Sequence, residues 1–273
     1  MTRRDDDRPA QHSPDGGGDA TAGDSRPPTP PASSAVLDPA RFRHPVRRLA
    51  RRIAQTLFLK GLAYRTVRRT VVTHPAADAL AGPCIVVANH SSHLDAPLVL
   101  GSVPPRIRRN LATGVAADYF FTARHKRMFT ELVFNAFPVD RTGTGANRGL
   151  SKRLLKAGVP LLVFPEGTRS RTGTMSTFKI GAAGLAKAVG VPVVPVALVG
   201  AFEAMPHGAR WPRRGRPPVV VAVGEPLRAA EKEPTASFNG RIEAAVRELY
   251  AEHRPRIDHR PPRTRRVLPR WHT

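Results

Sequence analysis

The sequence predicts an α/β fold in which a central mixed, mostly parallel sheet is flanked by helices and preceded by a basic amphipathic helical element. Short apolar runs rich in β-branched residues recur from about residue 80 onward, and segments with helical periodicity lie between them. Strands that alternate with helices in this way are typical of a sheet covered by helices. The chain has 273 residues, which is enough to bury one sizeable core.

The two ends of the chain have compositions typical of disordered segments. Residues 1–40 hold seven Asp, four Arg and runs of Gly and Pro, and residues 254–273 hold seven Arg against one Asp. Neither end carries enough apolar residues to offset the entropy lost on ordering. We therefore expect a disordered acidic arm (1–40), a basic helical element (41–75), an α/β domain (76–253) and a disordered basic tail (254–273). The first thirty residues lack the apolar stretch of a secretory signal.

A basic amphipathic helix is predicted from Pro45 onward. Residues 41–69 carry ten Arg or Lys and no acidic residue. At about 100° per residue, apolar side chains fall within an arc of roughly 80° and arginines lie opposite them. Three interpretations fit: a surface helix packed on the domain with solvated arginines, a helix lying apolar face down on an anionic membrane, or a nucleic-acid-binding arm. The apolar residues are Val46, Leu49, Ile53 and Leu57, and the arginines are Arg47, Arg48, Arg51 and Arg52.

Within the α/β domain, continuous apolar runs predict buried strands, and periodic segments predict the helices between them. Functional side chains are then expected in the loops beyond the strand ends. The predicted strands are 84–88, 161–164, 191–198 and 219–223, with a further short strand in 137–141, and the predicted helices are 145–156, 178–189 and 239–252.

A histidine and an aspartate follow the first predicted strand directly. His90 and Asp95 are five residues apart, which is about 140° on one helix, so a turn between them is needed for contact. If they meet, the carboxylate can fix the imidazole tautomer and stabilise its cation, and the other ring nitrogen can take a proton from a hydroxyl. No Ser or Cys is evident as a nucleophile, which favours direct attack by a substrate hydroxyl. Taken alone, a His and an Asp at this spacing are more often a helix N-cap residue and a neighbour with no shared function.

The same segment allows a metal site as a second interpretation. His90, His93 and Asp95 offer ligands in one short loop, and the protein would then be a metal-dependent hydrolase. The remaining acids and histidines form no second cluster along the sequence. We therefore expect no metal and no cofactor.

Three cations next to predicted strand ends indicate a phosphate site. Arg141 ends the segment 137–141, and Arg169 follows the strand predicted at 161–164. Lys179 lies at the start of a predicted helix, where backbone N–H groups favour an anion. A guanidinium offers a planar fork to phosphate and an ammonium offers a point charge. Each cation alone is typical of a solvated surface, but together with the His–Asp turn they favour a binding site.

These motifs resemble those of the glycerolipid acyltransferases of the lysophosphatidate acyltransferase (PlsC-like) family. Four blocks occur in the family's order and spacing over roughly residues 80–225, and the third is the most specific. The blocks are Asn89-His90-(four residues)-Asp95, Phe137-Pro138-Val139-Asp140-Arg141, Phe164-Pro165-Glu166-Gly167-Thr168-Arg169-Ser170 and Val191-Pro192-Val193-Val194-Pro195-Val196.

The resemblance implies a reaction and a role for each block. His90 is implied to be the general base that deprotonates a free glycerol hydroxyl, with Asp95 orienting it. The hydroxyl then attacks the thioester of acyl-CoA or acyl-carrier protein, which serves as co-substrate. The fourth block is implied to shape the acyl pocket. We add Lys179 to the residues expected to bind the acceptor, because of its charge and its position just after the third block. The residues implied to bind the phosphorylated acceptor are Arg141, Glu166, Gly167, Thr168 and Arg169.

The chain departs from the family pattern in two places. The second block often has a Gly several positions before its Arg, and Asn135-Ala136 stands there instead. Members commonly carry apolar N-terminal helices that enter the membrane, whereas this chain has the Arg-rich helix from Pro45 onward. That helix predicts peripheral attachment by charge and a shallow apolar face.

We expect an acyltransferase that converts 1-acyl-glycerol 3-phosphate to phosphatidate, with glycerol 3-phosphate or another lysolipid as the alternative acceptor. The net charge of +23 suits a protein whose acceptor, donor and lipid surface are all anionic. Cys84 is the single cysteine, which excludes an internal disulfide and favours a reducing compartment. No apolar run is long enough for a membrane-spanning helix. We therefore expect a cytoplasmic protein that is peripheral on the cytoplasmic face of an anionic membrane and binds no nucleic acid.

Overall fold

The computed structural model describes residues 38–58, 61, 64–116, 130–139 and 149–258. The predicted disorder of the acidic arm up to residue 37 and of the basic tail from residue 259 lies outside these residues. Arg141 and the beginning of the helix predicted at 145–156 lie outside them as well.

Seven strands form one mixed sheet in the order β1-β7-β6-β2-β5-β3-β4. Neighbouring strands are parallel except for the antiparallel pair β6–β7. The expectation of a mixed, mostly parallel sheet is therefore confirmed. The strands are β1 Arg68–Thr73, β2 Ile85–Ala88, β3 Ala112–Ala116, β4 Phe137–Val139, β5 Leu161–Val163, β6 Val193–Val199 and β7 Pro218–Val223.

Helices cover both faces of this sheet. Those in the described residues are α1 Ala40–Arg43, α2 Pro45–Phe58, α3 Tyr64–Thr66, α4 Pro75–Ala79, α5 Asp95–Ser102, α6 Pro105–Arg108, α7 Leu150–Lys156, α8 Gly181–Val189, α9 Ala201–Ala204, α10 Thr235–His253 and α11 Pro255–Asp258.

The central strand β2 contributes to a separate apolar cluster on each face. Val86 and Ala88 pack in one cluster with α5 and α6, and Ile85 and Val87 pack in the other with α7, α8 and α10. Alternate residues of a strand point to opposite faces, so a strand covered on both faces needs apolar residues at every position. This is why the predicted runs are continuous rather than alternating.

Two strands were missed by the sequence analysis, and one of them changes the extent of the sheet. β1 pairs in parallel with β7 from Arg68–Pro218 to Thr73–Val223, so the sheet includes residues that we assigned to the basic helical element. β1 is an edge strand with no fully buried residue, so it lacks the apolar run of a central strand. β3 is short and contains small residues, among them Gly114.

The first residues of the predicted disordered tail are helical, so that prediction is wrong for this part. Helix α11 follows α10 directly, and its Ile257 packs against a small apolar cluster of β6 and β7. Arg254, just before it, forms an ion pair with Glu203 at 2.5 Å. These long-range contacts cannot be recognised from a Pro- and Arg-rich composition.

Helix α2 confirms the predicted amphipathic helix, but its apolar face points away from the domain. The apolar stripe, which we define as Val46, Leu49, Ile53 and Leu57, is 54% to 69% exposed. The polar side instead contacts the domain. The Arg51 Nη2 donates to the carbonyl of Phe42 at 3.2 Å, and the Gln55 Nε2 donates to the carbonyl of Val133 at 2.7 Å. The interpretation of α2 as a helix packed on the domain by its apolar face is therefore wrong, although Arg47, Arg48 and Arg52 are exposed as it expected. Within the described ranges, no helix has the length and apolar character needed to cross a bilayer.

Candidate active site

The site is built at the carboxyl end of β2, in the middle of the sheet. The strand ends at Ala88, and the Asn89 side chain then binds the backbone of the neighbouring strand β6. Its Nδ2 donates to the carbonyl of Leu198 at 3.2 Å, and its Oδ1 accepts from the N–H of Leu198 at 2.7 Å. This double hydrogen bond fixes the point at which the chain leaves the sheet and begins the turn containing His90.

The turn from His90 to Asp95 closes on the Asp95 carboxylate. The Asp95 Oδ2 lies 2.9 Å from the His90 Nδ1 and also accepts hydrogen bonds from the backbone N–H groups of Ser91 and Ser92, at 2.6 and 2.8 Å. Asp95 is fully buried at the start of α5. A buried carboxylate with several donors is held in one orientation, so the His90 ring bound to it is held as well.

The His90 ring has one nitrogen left for chemistry. Its Nδ1 is used by Asp95, and its face stacks on Phe164, with the ring centroids 4.1 Å apart and 18° between the planes. The side chain keeps 18% of its surface exposed. The Nε2 is therefore the atom available to take a proton from a bound hydroxyl.

Glu166 connects the His90 turn to the loop that follows β5. Its Oε1 accepts from the His90 N–H at 2.6 Å, and its Oε2 accepts from the Ser176 N–H at 2.8 Å. The N–H of Ser170 donates to the His90 carbonyl at 2.8 Å, which adds a second link. Burial raises the pKa of Glu166, and the hydrogen bonds from Ser176 and His90 oppose that rise. Both carboxylate oxygens bind backbone, so the geometry favours a positioning role over the acceptor contact implied by the resemblance.

Lys179 lies across the backbone of Gly167. Gly167 has a φ of +80°, and a Cβ on it would come within 2.8 Å of the Lys179 Nζ. The backbone N–H of Lys179 also donates to the carbonyl of Pro165 at 3.0 Å. Glycine at this position therefore serves both the left-handed turn and the close approach of the ammonium. The structure brings Lys179 to the same loop as the third sequence block.

Arg169 lies half-buried in this loop, and Thr168 is exposed. The Arg169 guanidinium is close enough to His93 to lower its pKa, after the larger effect of burial and together with His90. In the described part of the chain, neither Arg169 nor Lys179 forms an ion pair with a carboxylate. No carboxylate of the described residues therefore neutralises these two charges. A site that binds an anionic group needs positive charges of this kind.

The residues of the proposed metal site are not arranged as ligands around one centre. His90 and Asp95 use Nδ1 and Oδ2 on each other. Across residues 38–58, 61, 64–116, 130–139 and 149–258, no group of three or more His, Cys, Asp or Glu side chains is placed to share an ion. The arrangement favours the His–Asp interpretation over the metal-dependent one.

Sequence reasoning missed the backbone donors of this site. The N–H groups of Ser91, Ser92 and Ser176 hold the two buried carboxylates. Every residue except proline carries such a group, so no residue type marks these positions.

A solved structure shares this fold. The crystal structure of the 1-acyl-sn-glycerophosphate (LPA) acyltransferase PlsC from Thermotoga maritima superposes with a TM-score of 0.54 and 23% sequence identity. The match covers 78% of this chain and 98% of that one. The fold thus belongs to the class of α/β proteins that this structure represents.

Sequence comparisons identify the family. The family model described as Acyltransferase matches residues 65–199. A 1-acyl-sn-glycerol-3-phosphate acyltransferase from Pseudomonas aeruginosa is 30% identical over 195 residues, 66% of this chain and 70% of the relative. A chloroplastic protein of the same name from Brassica napus is 32% identical over 149 residues, 54% of this chain and 40% of that protein. The chain belongs to the acyltransferase family that includes the 1-acyl-sn-glycerol-3-phosphate acyltransferases, and the resemblance seen in its motifs is confirmed. It spans less than half the length of the first plant relatives that it matches.

Proposed function

We propose that the protein transfers an acyl group from acyl-CoA or acyl-carrier protein to the free hydroxyl of 1-acyl-glycerol 3-phosphate and forms phosphatidate. The observation that carries this proposal is the contact of 2.9 Å between the His90 Nδ1 and a fully buried Asp95. It leaves the Nε2 as a fixed and accessible base. The names of the relatives support 1-acyl-glycerol 3-phosphate over glycerol 3-phosphate as the acceptor.

In the proposed mechanism the His90 Nε2 takes the proton of the acceptor hydroxyl as its oxygen attacks the thioester carbonyl. The resulting tetrahedral intermediate collapses with cleavage of the C–S bond. The imidazolium then returns its proton to the sulfur, which leaves as a thiol. The Asp95 carboxylate stabilises the imidazolium between these two transfers, so the protein ends the cycle in its starting state.

Direct attack by the acceptor is consistent with the states of the Ser92 hydroxyl and the Cys84 thiol. The hydroxyl of Ser92 donates to the carbonyl of Met205 at 2.9 Å, so it is already engaged in a buried hydrogen bond. Burial raises the pKa of Cys84 to about 12, so its thiol stays protonated near neutral pH. Neither side chain suits an acyl-enzyme intermediate.

The phosphate of the acceptor is proposed to bind Arg169 and Lys179, on the loop beside His90. Both side chains lack an acidic partner among the described residues, and Gly167 lets the ammonium approach the loop backbone. Arg141 remains a proposal from the family resemblance. Phosphate held here would bring the glycerol hydroxyl toward the His90 side of the loop.

The test of this function is acyl transfer from a labelled acyl-CoA, with products separated by lipid class. Lysophosphatidate, glycerol 3-phosphate and lysophosphatidylcholine are offered in parallel, and the donors are acyl-CoA and acyl-carrier protein. Labelled phosphatidate formed from lysophosphatidate is the expected product. Transfer to none of these acceptors with either donor would overturn the proposal.

Replacement of Arg169 by alanine is expected to raise the KM for lysophosphatidate about tenfold or more, with a smaller change in kcat. A hydrogen bond to a charged group is worth about 1.5–3 kcal/mol, and it is lost from the bound acceptor. The matched control is Arg171→Ala, which removes the same charge from an exposed position in the same loop. Equal KM values for the two variants would remove Arg169 from the acceptor site.

We further propose that α2 attaches the protein to the cytoplasmic face of an anionic membrane. The support is the apolar stripe, which is exposed, together with the arginines on the other side of the same helix. Burial of one large apolar side chain is worth about 1.5–3 kcal/mol, and each nearby Arg adds about 1 kcal/mol on an anionic surface. A helix that lies in a membrane–water interface is held there by both buried apolar side chains and attraction between basic residues and anionic lipids.

The double substitution Ile53→Ser and Leu57→Ser is expected to weaken binding to vesicles of phosphatidylglycerol and phosphatidylcholine by about tenfold or more. Vesicle sedimentation at low and high salt measures the effect. Val71→Thr is the control, because Val71 is exposed and apolar but lies outside the stripe. If the double variant sediments like the control, α2 does not insert its stripe.

A further inference from the structure

A cleft of about 740 Å³ between α2 and α6 is lined by an unusual concentration of arginines. Arg48, Arg51 and Arg52 come from α2, and Arg108 and Arg109 come from the end of α6. No acidic residue lines the cleft in the part of the chain that the structure describes. The cleft shares no lining residue with the His90 site. We refer to it as the arginine cleft.

Arg51 is the buried member of this group. Its side chain is only 4% exposed. Its Nη2 donates to the Phe42 carbonyl, whereas its Nη1 is buried and has no hydrogen-bond partner among the described residues. A buried guanidinium nitrogen without an acceptor is costly, and a folded protein satisfies nearly all such groups. The unpartnered Nη1 is therefore available to an acceptor bound in the cleft.

The charges around Arg51 add to this cost. Burial, together with repulsion from Arg48, Arg41 and Arg47, lowers the pKa of Arg51 to about 10. Like charges this close repel one another unless a counter-charge lies between them.

Some other arginines of the described structure have an acidic partner, which the arginines of the cleft lack. Arg41 pairs with Glu131, and Arg241 pairs with Glu233. Within residues 38–58, 61, 64–116, 130–139 and 149–258, no ion pair involves the five arginines of the cleft. A small anion with several oxygens can satisfy more than one guanidinium at once, and phosphate has the geometry for bidentate contact.

The neighbourhood of the cleft favours a lipid as the source of the phosphate. Leu49 belongs to the apolar stripe and also lines the cleft. A phosphate in the cleft therefore lies beside the surface that we propose to meet the membrane. We propose that the arginine cleft is an accessory site for the phosphate group of an anionic phospholipid, separate from the acyl-transfer site. The lipid assignment rests on the proposed membrane attachment of α2, whereas the phosphate site itself does not.

Binding of soluble dihexanoyl phosphatidylglycerol, measured by calorimetry on the full chain below the micelle concentration, tests this site without a membrane. Phosphatidylglycerol is neither the proposed acceptor nor the proposed product. The variant Arg52→Gln/Arg109→Gln removes two cleft charges from exposed positions and is expected to weaken binding about tenfold or more. The control Arg210→Gln/Arg214→Gln removes two exposed charges elsewhere and is expected to bind like the wild type. Equal weakening in both variants would show nonspecific charge attraction and overturn the site.

Three comparisons distinguish a lipid phosphate from free phosphate and the arginine cleft from the acyl-transfer site. Dihexanoyl phosphatidylcholine and inorganic phosphate are expected to bind more weakly than the anionic lipid, and equal binding of either one would overturn the lipid assignment. His90→Ala is expected to bind phosphatidylglycerol like the wild type, since loss of binding there would place the lipid in the acyl-transfer site. Arg52→Gln/Arg109→Gln is expected to keep acyl transfer to a short-chain lysophosphatidate, which shows that it is folded. Failure of acyl transfer in the wild type would leave these binding results intact, so the two proposals fail separately.

Discussion

His90→Ala is expected to lower kcat for acyl transfer by about 10²–10⁴-fold, because the acceptor hydroxyl then loses its general base. The KM for lysophosphatidate is expected to change little, since the proposed phosphate contacts come from Arg169 and Lys179. Purified protein, a water-soluble lysophosphatidate and an assay for released thiol are sufficient for the measurement. Circular dichroism establishes that the variant is folded.

His93→Ala is the matched control for this experiment. His93 lies in the same turn, but the hydrogen-bond partners of Asp95 are His90, Ser91 and Ser92. Loss of activity in His90→Ala with retention in His93→Ala supports a base paired with Asp95. Equal losses in the two variants, together with inhibition by a chelator, would instead support the metal-dependent interpretation. A wild-type rate in His90→Ala would disprove the mechanism.

Asp95→Asn is expected to lower kcat by about 10²-fold or more while the turn keeps its shape. The Asn oxygen can replace the Oδ2 and accept from the backbone N–H groups of Ser91 and Ser92. The negative charge that stabilises the imidazolium is lost, and this cost appears only when His90 is protonated. The amide nitrogen takes the place of the Oδ1, which is buried and has no hydrogen-bond partner in the described residues. We therefore also expect a loss of about 1–3 kcal/mol in the free energy of unfolding.

The pH dependence of kcat separates an electrostatic role of Asp95 from a merely structural one. Removal of the carboxylate charge takes away the counter-charge of the imidazolium, so the pH profile of kcat is expected to differ between Asp95→Asn and the wild type. Asp78→Asn, at an exposed position, is the control and should leave both kcat and stability unchanged. An unshifted pH profile together with a wild-type kcat would exclude Asp95 from the proposed mechanism.

The central strands could be predicted from the sequence because each is buried on both faces. β2 and, after Pro218, β7 therefore appear as runs of Val, Ile and Ala, and β6 appears as a run of Val, Leu and Ala interrupted only by Pro195. The edge strand β1 has no such run. The orientation of α2 also could not be predicted, since periodicity defines two faces of a helix but not which one meets the domain. The carbonyls of Phe42 and Val133, which hold its polar side, are visible only in the fold.

The side chains of the candidate active site could be identified from the sequence, but their hydrogen-bond partners could not. The spacing of His90 and Asp95 allows contact only through a turn, and that turn depends on backbone N–H groups that have no signature. Glu166 was assigned to the acceptor because of its block, yet its oxygens bind the backbone of His90 and Ser176. A carboxylate that links distant segments cannot be distinguished by sequence from one that faces a substrate.

The link through Glu166 also has a consequence for the order in which the protein gains activity during folding. The contact between His90 and Asp95 is local, but Glu166 is 76 residues from His90 along the chain. Contacts over such separations form only after the intervening loops have been closed, and they are slow to form. The His90 main chain therefore acquires its final support only when β2 and β5 have paired. Recovery of acyl transfer after dilution from denaturant is expected to lag behind the return of helical circular dichroism, which makes enzyme activity a stringent measure of complete refolding.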